Sequence, residues 1–153
     1  MRHRRSGLAK RFDSTSSPYR SKPPAEIRTG WADFLRPHRW EWFVTLTFPY
    51  ALHPEQARKL WNAWIKSIAA CRDRTVSGPC IWALAWERQH RGVVHFHALV
   101  SGVTGVPNFV GIKTWERLTG GSARVLTFDP NRGAVDYTSK EADIDISDTW
   151  FTD

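Results

Sequence analysis

The chain has 153 residues, 41% of them hydrophobic, which is enough for one folded domain with one core. Its 22 Lys and Arg residues exceed its 15 Asp and Glu residues, and the net charge of +7 favours a polyanionic partner, with nucleic acid first. Two cysteines are too few for a disulfide framework, and no apolar run approaches the ~18 residues of a membrane span. The composition therefore predicts an intracellular protein that does not contact a membrane.

The positive charge is concentrated at the N-terminus. Residues 1–30 hold eight basic and two acidic residues and are rich in Ser and Pro, which predicts a flexible basic arm. Such an arm either contacts a phosphate backbone or is a solvated tail. Residues 31–153 are predicted to form the folded domain, in which residues 136–153 have a net charge of −5. The chain contains no phosphate-loop motif of a helicase domain.

The body of the chain alternates between strand and helix patterns. Short β-branched and aromatic runs predict strands, and apolar residues at three- and four-residue spacing predict helices. The strands are predicted at 42–48, 81–87, 93–101 and 123–128, and the helices at 53–72, 111–118 and 130–140. This order predicts an α+β fold of the ferredoxin-like or split-βαβ kind. Its antiparallel sheet is expected to have helices packed on one face and the active site on the other.

Alternation along the strands sorts their side chains into two faces. One face is bulky and apolar, as at Phe96 and Val100 of the third strand, and is predicted to pack under the helices. The opposite face carries small and polar residues, which leave room for a ligand. Its members are Thr45, Thr47, Ala83, Ala85, Glu87, His95 and His97.

His95 and His97 project from one face of the third strand, about 7 Å apart at the backbone. Glu87 precedes them on the neighbouring strand of a predicted hairpin, so its carboxylate is expected beside the two imidazoles. Two imidazoles and one carboxylate can hold a divalent metal ion and leave positions open for a substrate. His90, in the hairpin loop, is a weaker candidate for the third ligand. The alternative is a pair of strand histidines that only hydrogen-bond to their neighbours.

Tyr137 and Lys140 lie three residues apart on the last predicted helix, so they share one face. A phenol can act as a covalent nucleophile when a metal or a cation assists its attack. A lysine one turn away could hold a phosphate or offset the negative charge that develops during the attack. A Y-x-x-K pair is also typical of an ordinary exposed helix surface.

Three segments, in this order, resemble the motifs of HUH endonucleases, in particular the replication initiators (Rep proteins) of small viruses, phages and plasmids that replicate by a rolling circle. Residues 43–49 (FVTLTFP) are similar to motif I. Residues 95–97 (HFH) are similar to the His-hydrophobe-His of motif II, with Glu87 at the position of the family's additional metal ligand. Residues 137–140 (YTSK) are similar to motif III. The resemblance covers residues 42–145.

The resemblance implies a metal-dependent DNA nickase. Glu87, His95 and His97 would bind Mg²⁺ or Mn²⁺, which polarises the scissile phosphate. Tyr137 would attack that phosphate in single-stranded DNA and leave a free 3′-hydroxyl and a 5′-phosphotyrosine link. Lys140 would help to position the phosphate or a metal-bound water. The reverse step would join strands without ATP.

The expected partner is therefore single-stranded DNA at a replication origin with a hairpin, and a host helicase is a second expected partner. Thr45 and Thr47 are predicted to line the DNA groove. Basic residues chosen from charge and position are predicted to contact phosphates, namely Arg88, Arg91, Lys113 and Arg124. The favoured compartment is the bacterial cytoplasm, and the host nucleus is the alternative if the chain comes from a eukaryotic virus.

Two other functions fit parts of the pattern. A single-tyrosine HUH transposase has about this length, although Lys140 in the Y-x-x-K frame favours the replication initiator. The nine tryptophans also permit a non-catalytic module that binds RNA or single strands by base stacking. Against this module, Trp61 and Trp64 lie in an apolar helical stripe that is typical of a core.

Overall fold

The computed structural model describes residues 23–89, 92–140 and 143–151, without the side chains of Thr149 and Phe151. In chain order the elements within these ranges are α1 (Ala25–Leu35), β1 (Trp42–Thr47), α2 (Pro54–Ala70), β2 (Ile81–Arg88), β3 (Val94–Ser101), α3 (Asn108–Thr119), β4 (Ala123–Thr127), α4 (Ala134–Ser139) and β5 (Asp143–Ile146). Short 3₁₀ turns follow β4 and β5. The longest of the helices, α2, has 17 residues, and none in the described ranges has the length and apolar character to cross a membrane.

The five strands form one antiparallel sheet in the order β4-β1-β3-β2-β5. β3 lies between β1 and β2, and β1 lies between β3 and β4, so two split βαβ units interlock with α2 and α3 as their connections. This is a ferredoxin-like arrangement. The predicted α+β class is confirmed, and each predicted strand differs from the observed one by a single residue at one end.

The main core lies between the sheet and the helices α2 and α3. Strand residues that alternate toward this side meet the apolar stripe of α2, as the pattern predicted. Full burial of one large side chain contributes about 1.5–3 kcal/mol, so this layer holds both helices firmly to the sheet. Its fully buried members include Leu46, Trp61, Trp64, Phe96 and Trp115.

The opposite face of the sheet is partly covered by α1 and α4. Leu35 of α1 and Val135 of α4 are buried there in one cluster with Ala83 and Leu99. The small side chain of Ala83, which was expected to leave room for a ligand, admits the short helix α4. The two long helices α2 and α3 therefore lie on one face, while the shorter helices border the candidate site on the other.

The predicted flexible arm, residues 1–30, overlaps the first helix. Residues 25–30 belong to α1, because Ala32 and Leu35 are buried and anchor this helix to the sheet. Residues 1–22 lie outside the described part of the chain. The pattern missed α1 because its outer surface is polar and its two buried residues give only a weak period.

Two C-terminal elements also differ from the prediction. The helix predicted at 130–140 is divided, because Gly133 adopts φ +71 and separates a 3₁₀ turn from α4. The strand β5, with the sequence DIDI, was read as part of an acidic tail. Ile144 and Ile146 alternate with the aspartates, and the strand pairs with the edge of β2.

Trp61 and Trp64 are both fully buried on α2, but their indole N–H groups differ. Trp64 Nε1 donates to the carbonyl of Gly111 over 2.9 Å, whereas Trp61 Nε1 has no acceptor within the described part of the chain. We expect Trp64→Phe to lower the free energy of unfolding by about 1–3 kcal/mol more than Trp61→Phe, because only the first change removes a hydrogen bond. Urea unfolding followed by circular dichroism measures the difference, and equal losses would contradict the expectation.

Candidate active site

The three central strands place the predicted site residues in two neighbouring rows on the face that carries α4. The register of β3 with β1 and with β2 defines both rows. The first row is Thr45, His97 and Ala85, and the second row is Thr47, His95 and Glu87. Strand alternation and the β2–β3 hairpin therefore bring the carboxylate beside the two imidazoles.

His97 lies at the centre of the site and is 4% exposed. Its Nδ1 atom is 3.3 Å from the hydroxyl of Thr45, and its Nε2 atom contacts a carboxylate oxygen of Glu87. Both ring nitrogens have polar partners, which holds the imidazole in one orientation. Thr45 thus helps to orient His97, and its contact with DNA stays a prediction.

His95 has a different polar partner from His97. The side-chain amide of Gln89 donates a hydrogen bond to His95 Nδ1 over 2.9 Å. Gln89 was not among the predicted site residues, although it lies two residues after Glu87 and alternation places it on the same face. Residues that orient a histidine through its second nitrogen are common around metal sites.

The donor groups around His97 have the chemistry of a divalent-metal site, with two imidazoles and a carboxylate. In the described ranges, however, no three His, Cys, Asp or Glu side chains are arranged to hold one ion. Glu87 is engaged with His97, and His95 is engaged with Gln89. The residue types and strand positions fit a metal, and binding would require these side chains to exchange their present partners.

The surroundings shift the pKa values of Glu87 and His97. Burial raises the pKa of Glu87, but the hydrogen bond from His97 and the charges of His97, Lys140 and His95 outweigh it, so the pKa lies below its ordinary value. Burial lowers the pKa of His97, and the opposing influence of Glu87 does not restore it. An ionised carboxylate and a neutral imidazole are the protonation states that metal ligands require.

Helix α4 brings Tyr137 to the edge of this group. Thr138 and Ser139 anchor the helix, since their side chains are buried and donate hydrogen bonds to carbonyls one turn earlier. Tyr137 stays 41% exposed, and its ring lies edge-on to His97 with the ring centroids 4.9 Å apart. Lys140 Nζ lies 3.5 Å from the centre of the Tyr137 ring. A phenol, a cation and a histidine therefore meet at one accessible point.

Thr47 connects β1 to the beginning of β4. Its hydroxyl accepts a hydrogen bond from the backbone N–H of Ser122 over 3.1 Å and lies 2.7 Å from the Ser122 hydroxyl. Gly121 is required beside it, because a Cβ atom there would lie 1.9 Å from the carbonyl oxygen of Thr47. This threonine holds two strands together, and its predicted DNA contact stays a prediction.

One of the predicted phosphate contacts lies on the site face. Arg124 is exposed on β4 directly opposite Thr45, in the same row as His97. Neighbouring strands are about 4.8 Å apart, so the Arg124 backbone is about 10 Å from that of His97. A single strand of DNA that crosses the sheet at His97 can reach this guanidinium.

The other predicted phosphate contacts are not brought to the site. Arg88 follows Glu87 on β2 and therefore belongs to the opposite face of the sheet. Lys113 lies on α3, also on that opposite side, and is paired with Glu116 over 3.1 Å. Arg91 and the alternative ligand His90 lie outside the described residues. Charge and position along the chain could not distinguish the two faces for these residues.

The fold and the site define a ferredoxin-like α+β domain in which histidines, a carboxylate and a helix-borne tyrosine share one sheet face. The model of the family of replication-associated proteins of the ORF2 type matches residues 41–144, well over half of the chain. The chain belongs to this family, and its role lies in the initiation of DNA replication. Comparison with curated proteins and with solved structures gives no significant match.

Proposed function

We propose that this replication protein is an HUH endonuclease that nicks and rejoins single-stranded DNA at a replication origin through a tyrosine nucleophile. The observation that carries the proposal is the position of Tyr137, whose ring lies 4.9 Å from that of His97. Glu87 contacts His97 on the same face, and Lys140 lies over the tyrosine ring. An ordinary exposed tyrosine would not need these neighbours, so the grouping favours a nucleophile.

Tyr137 would attack the phosphorus of one phosphodiester with its phenolic oxygen. The bond from that oxygen to phosphorus forms while the bond from phosphorus to the 3′-oxygen breaks, and in net terms the phenolic proton is transferred to the departing 3′-oxygen. The products are a free 3′-hydroxyl and a 5′-phosphotyrosine. Because one ester is exchanged for another, a 3′-hydroxyl can attack the phosphotyrosine and rejoin the strand.

The neighbours of Tyr137 supply what this exchange needs. Lys140 places a positive charge where the phenolic oxygen and the phosphate accumulate negative charge. His97 packs edge-on against the phenol ring and helps to fix its position. Glu87, His95 and His97 would hold Mg²⁺ or Mn²⁺, which polarises the phosphate oxygens when bound.

The burial of the tryptophans weighs against a module that binds only by base stacking. A stacking platform needs rings that a single strand can reach. Six of the tryptophans are at most 6% exposed and contribute to the core, namely Trp40, Trp42, Trp61, Trp64, Trp86 and Trp115. The abundance of tryptophan in this chain therefore supports stability rather than a binding surface.

Covalent capture tests the proposed nuclease and identifies the sequence that it cuts. The protein would be incubated with Mn²⁺ and single-stranded oligonucleotides that contain a randomised segment and carry a label at either the 5′ or the 3′ end. We expect a protein adduct that survives denaturation and carries only the 3′-end label, because the downstream fragment stays on the tyrosine. The 5′-labelled fragment should be released with a 3′-hydroxyl that a polymerase can extend.

Three outcomes would contradict the proposal. An adduct that carries the 5′-end label would reverse the polarity of the attack. Release of both labelled fragments without an adduct would indicate hydrolysis. Binding of the strands with no cleavage in Mn²⁺ or Mg²⁺ would identify a non-catalytic binding module.

A further inference from the structure

A cleft of about 420 Å³ opens between α1 and α4, beside the candidate active site. Its volume is in the range of pockets that hold small ligands. The charged residues of its lining are Arg28, Asp33, Arg36, Asp136 and Lys140. Three cations exceed two carboxylates, so the lining is suited to an anionic group.

The carboxylates of the cleft do not satisfy all of its cations. Arg36 is paired with Asp136 over 3.0 Å at the surface. Arg28 Nε, by contrast, is buried and has no hydrogen-bond acceptor among the residues that the structure describes. A buried donor costs free energy until a ligand or a water molecule accepts its hydrogen bond. Arg28 is therefore placed to bind an oxygen atom that does not belong to this fold.

The cleft adjoins the proposed nucleophile. Asp136 lines the cleft and immediately precedes Tyr137 in α4. Lys140 also lines the cleft, and its Nζ atom lies 3.5 Å from the centre of the Tyr137 ring. A strand whose scissile phosphate rests at Tyr137 must run past this lysine, which brings a flanking nucleotide to the cleft.

We propose that the cleft binds a backbone phosphate of the single strand next to the scissile phosphate, with Arg28 as its principal ligand. The inference rests on the proposed function, because it takes single-stranded DNA as the substrate. A guanidinium suits this role, since its planar donors match two phosphate oxygens at once. Arg28 was predicted as part of a flexible arm, and α1 instead gives it a defined position beside the active site.

Binding measured without cleavage isolates the cleft from the chemistry. The affinity for a fluorescent oligothymidylate of about 20 nucleotides would be followed by anisotropy in EDTA over a series of salt concentrations. We expect Arg28→Gln to reduce the slope of log affinity against log salt by about 0.7, the value for one lost contact with a single strand. The same contact corresponds to about fivefold weaker binding at 0.1 M salt.

Two further variants separate an effect of the cleft from a loss of folding. Asp136→Asn removes a negative charge and releases Arg36 from its ion pair, so we expect tighter binding. General unfolding would weaken binding in both cleft variants. Lys66→Gln is the matched control, because it removes one exposed positive charge from α2 on the far side of the sheet. Its affinity and salt slope should equal those of the wild type.

The possible outcomes distinguish this inference from the proposed nuclease. If the wild type binds the strand and Arg28→Gln binds it with the same affinity and slope, the cleft proposal is wrong and the nuclease proposal is unaffected. If the wild type does not bind the strand, both proposals fail. If thymidine 5′-monophosphate binds in an Arg28-dependent way while the affinity for the strand is unchanged, the cleft is a free-nucleotide site and the proposal is overturned.

Discussion

Replacement of Tyr137 by phenylalanine is expected to abolish strand cleavage and the covalent adduct while the fold is retained. The ring contacts with His97 and Phe43, at centroid distances of 4.9 and 6.0 Å, do not involve the hydroxyl and survive the change. Loss of the attacking oxygen should lower the rate of adduct formation by at least about 10⁴-fold, since loss of a covalent nucleophile costs on the order of 10⁶-fold in a serine protease. Denaturing electrophoresis with 3′-labelled substrate measures the adduct.

Tyr50→Phe is the matched control for this experiment. Tyr50 is 60% exposed after β1 and is separated from α4 along the chain, so the same chemical change should leave cleavage unaltered. Tyr19→Phe, outside the described residues, tests the remaining tyrosine. An adduct that persists in Tyr137→Phe and disappears in either of the other variants would assign the nucleophile elsewhere.

The second large effect is expected at His97. His97→Ala removes the imidazole that contacts Glu87 and packs against Tyr137. We expect the Mn²⁺-dependent nicking rate to fall by at least about 10³-fold, because a bound divalent ion supplies several kcal/mol of charge stabilisation in the transition state. Mn²⁺ should also raise the midpoint of thermal unfolding of the wild type, since a ligand of the native state stabilises it, but not that of His97→Ala.

His53→Ala controls for the loss of a histidine as such. The His53 imidazole caps α2 by accepting the backbone N–H of Glu55 over 3.2 Å. The variant should lose about 1 kcal/mol of stability and retain both nicking and the response to Mn²⁺. A His97→Ala protein that still nicks DNA and still responds to Mn²⁺ would show that the proposed ligand set is wrong.

Strand alternation made the two faces of the sheet predictable from the order of residues. Thr45 and Thr47 alternate with Leu46, and His95 and His97 alternate with Phe96. This two-residue period is a local property of an extended chain, so it does not depend on what packs above the sheet. The hairpin between β2 and β3 is equally local, and it was sufficient to place Glu87 opposite His95.

The packing of the short helices could not be predicted in the same way. α1 buries Ala32 and Leu35 against residues of β2 and β3, and only that docking distinguishes the helix from a polar arm. β5 carries two aspartates in four residues and is a strand because the edge of β2 offers it backbone partners. In both cases the stabilising partner is remote in the chain, so a local pattern contains no record of it.

Backbone geometry repeats from residue to residue, and for that reason the amino-acid order was enough to establish which chemical groups share the site face. Their partners, by contrast, depend on tertiary packing: His97 contacts Glu87, His95 is bonded to Gln89, and Tyr137 lies beside His97. The same packing places Arg28 in a cleft next to that tyrosine. These contacts arise from the way α1 and α4 dock on a surface built from distant strands, and side-chain packing between remote segments selects that docking.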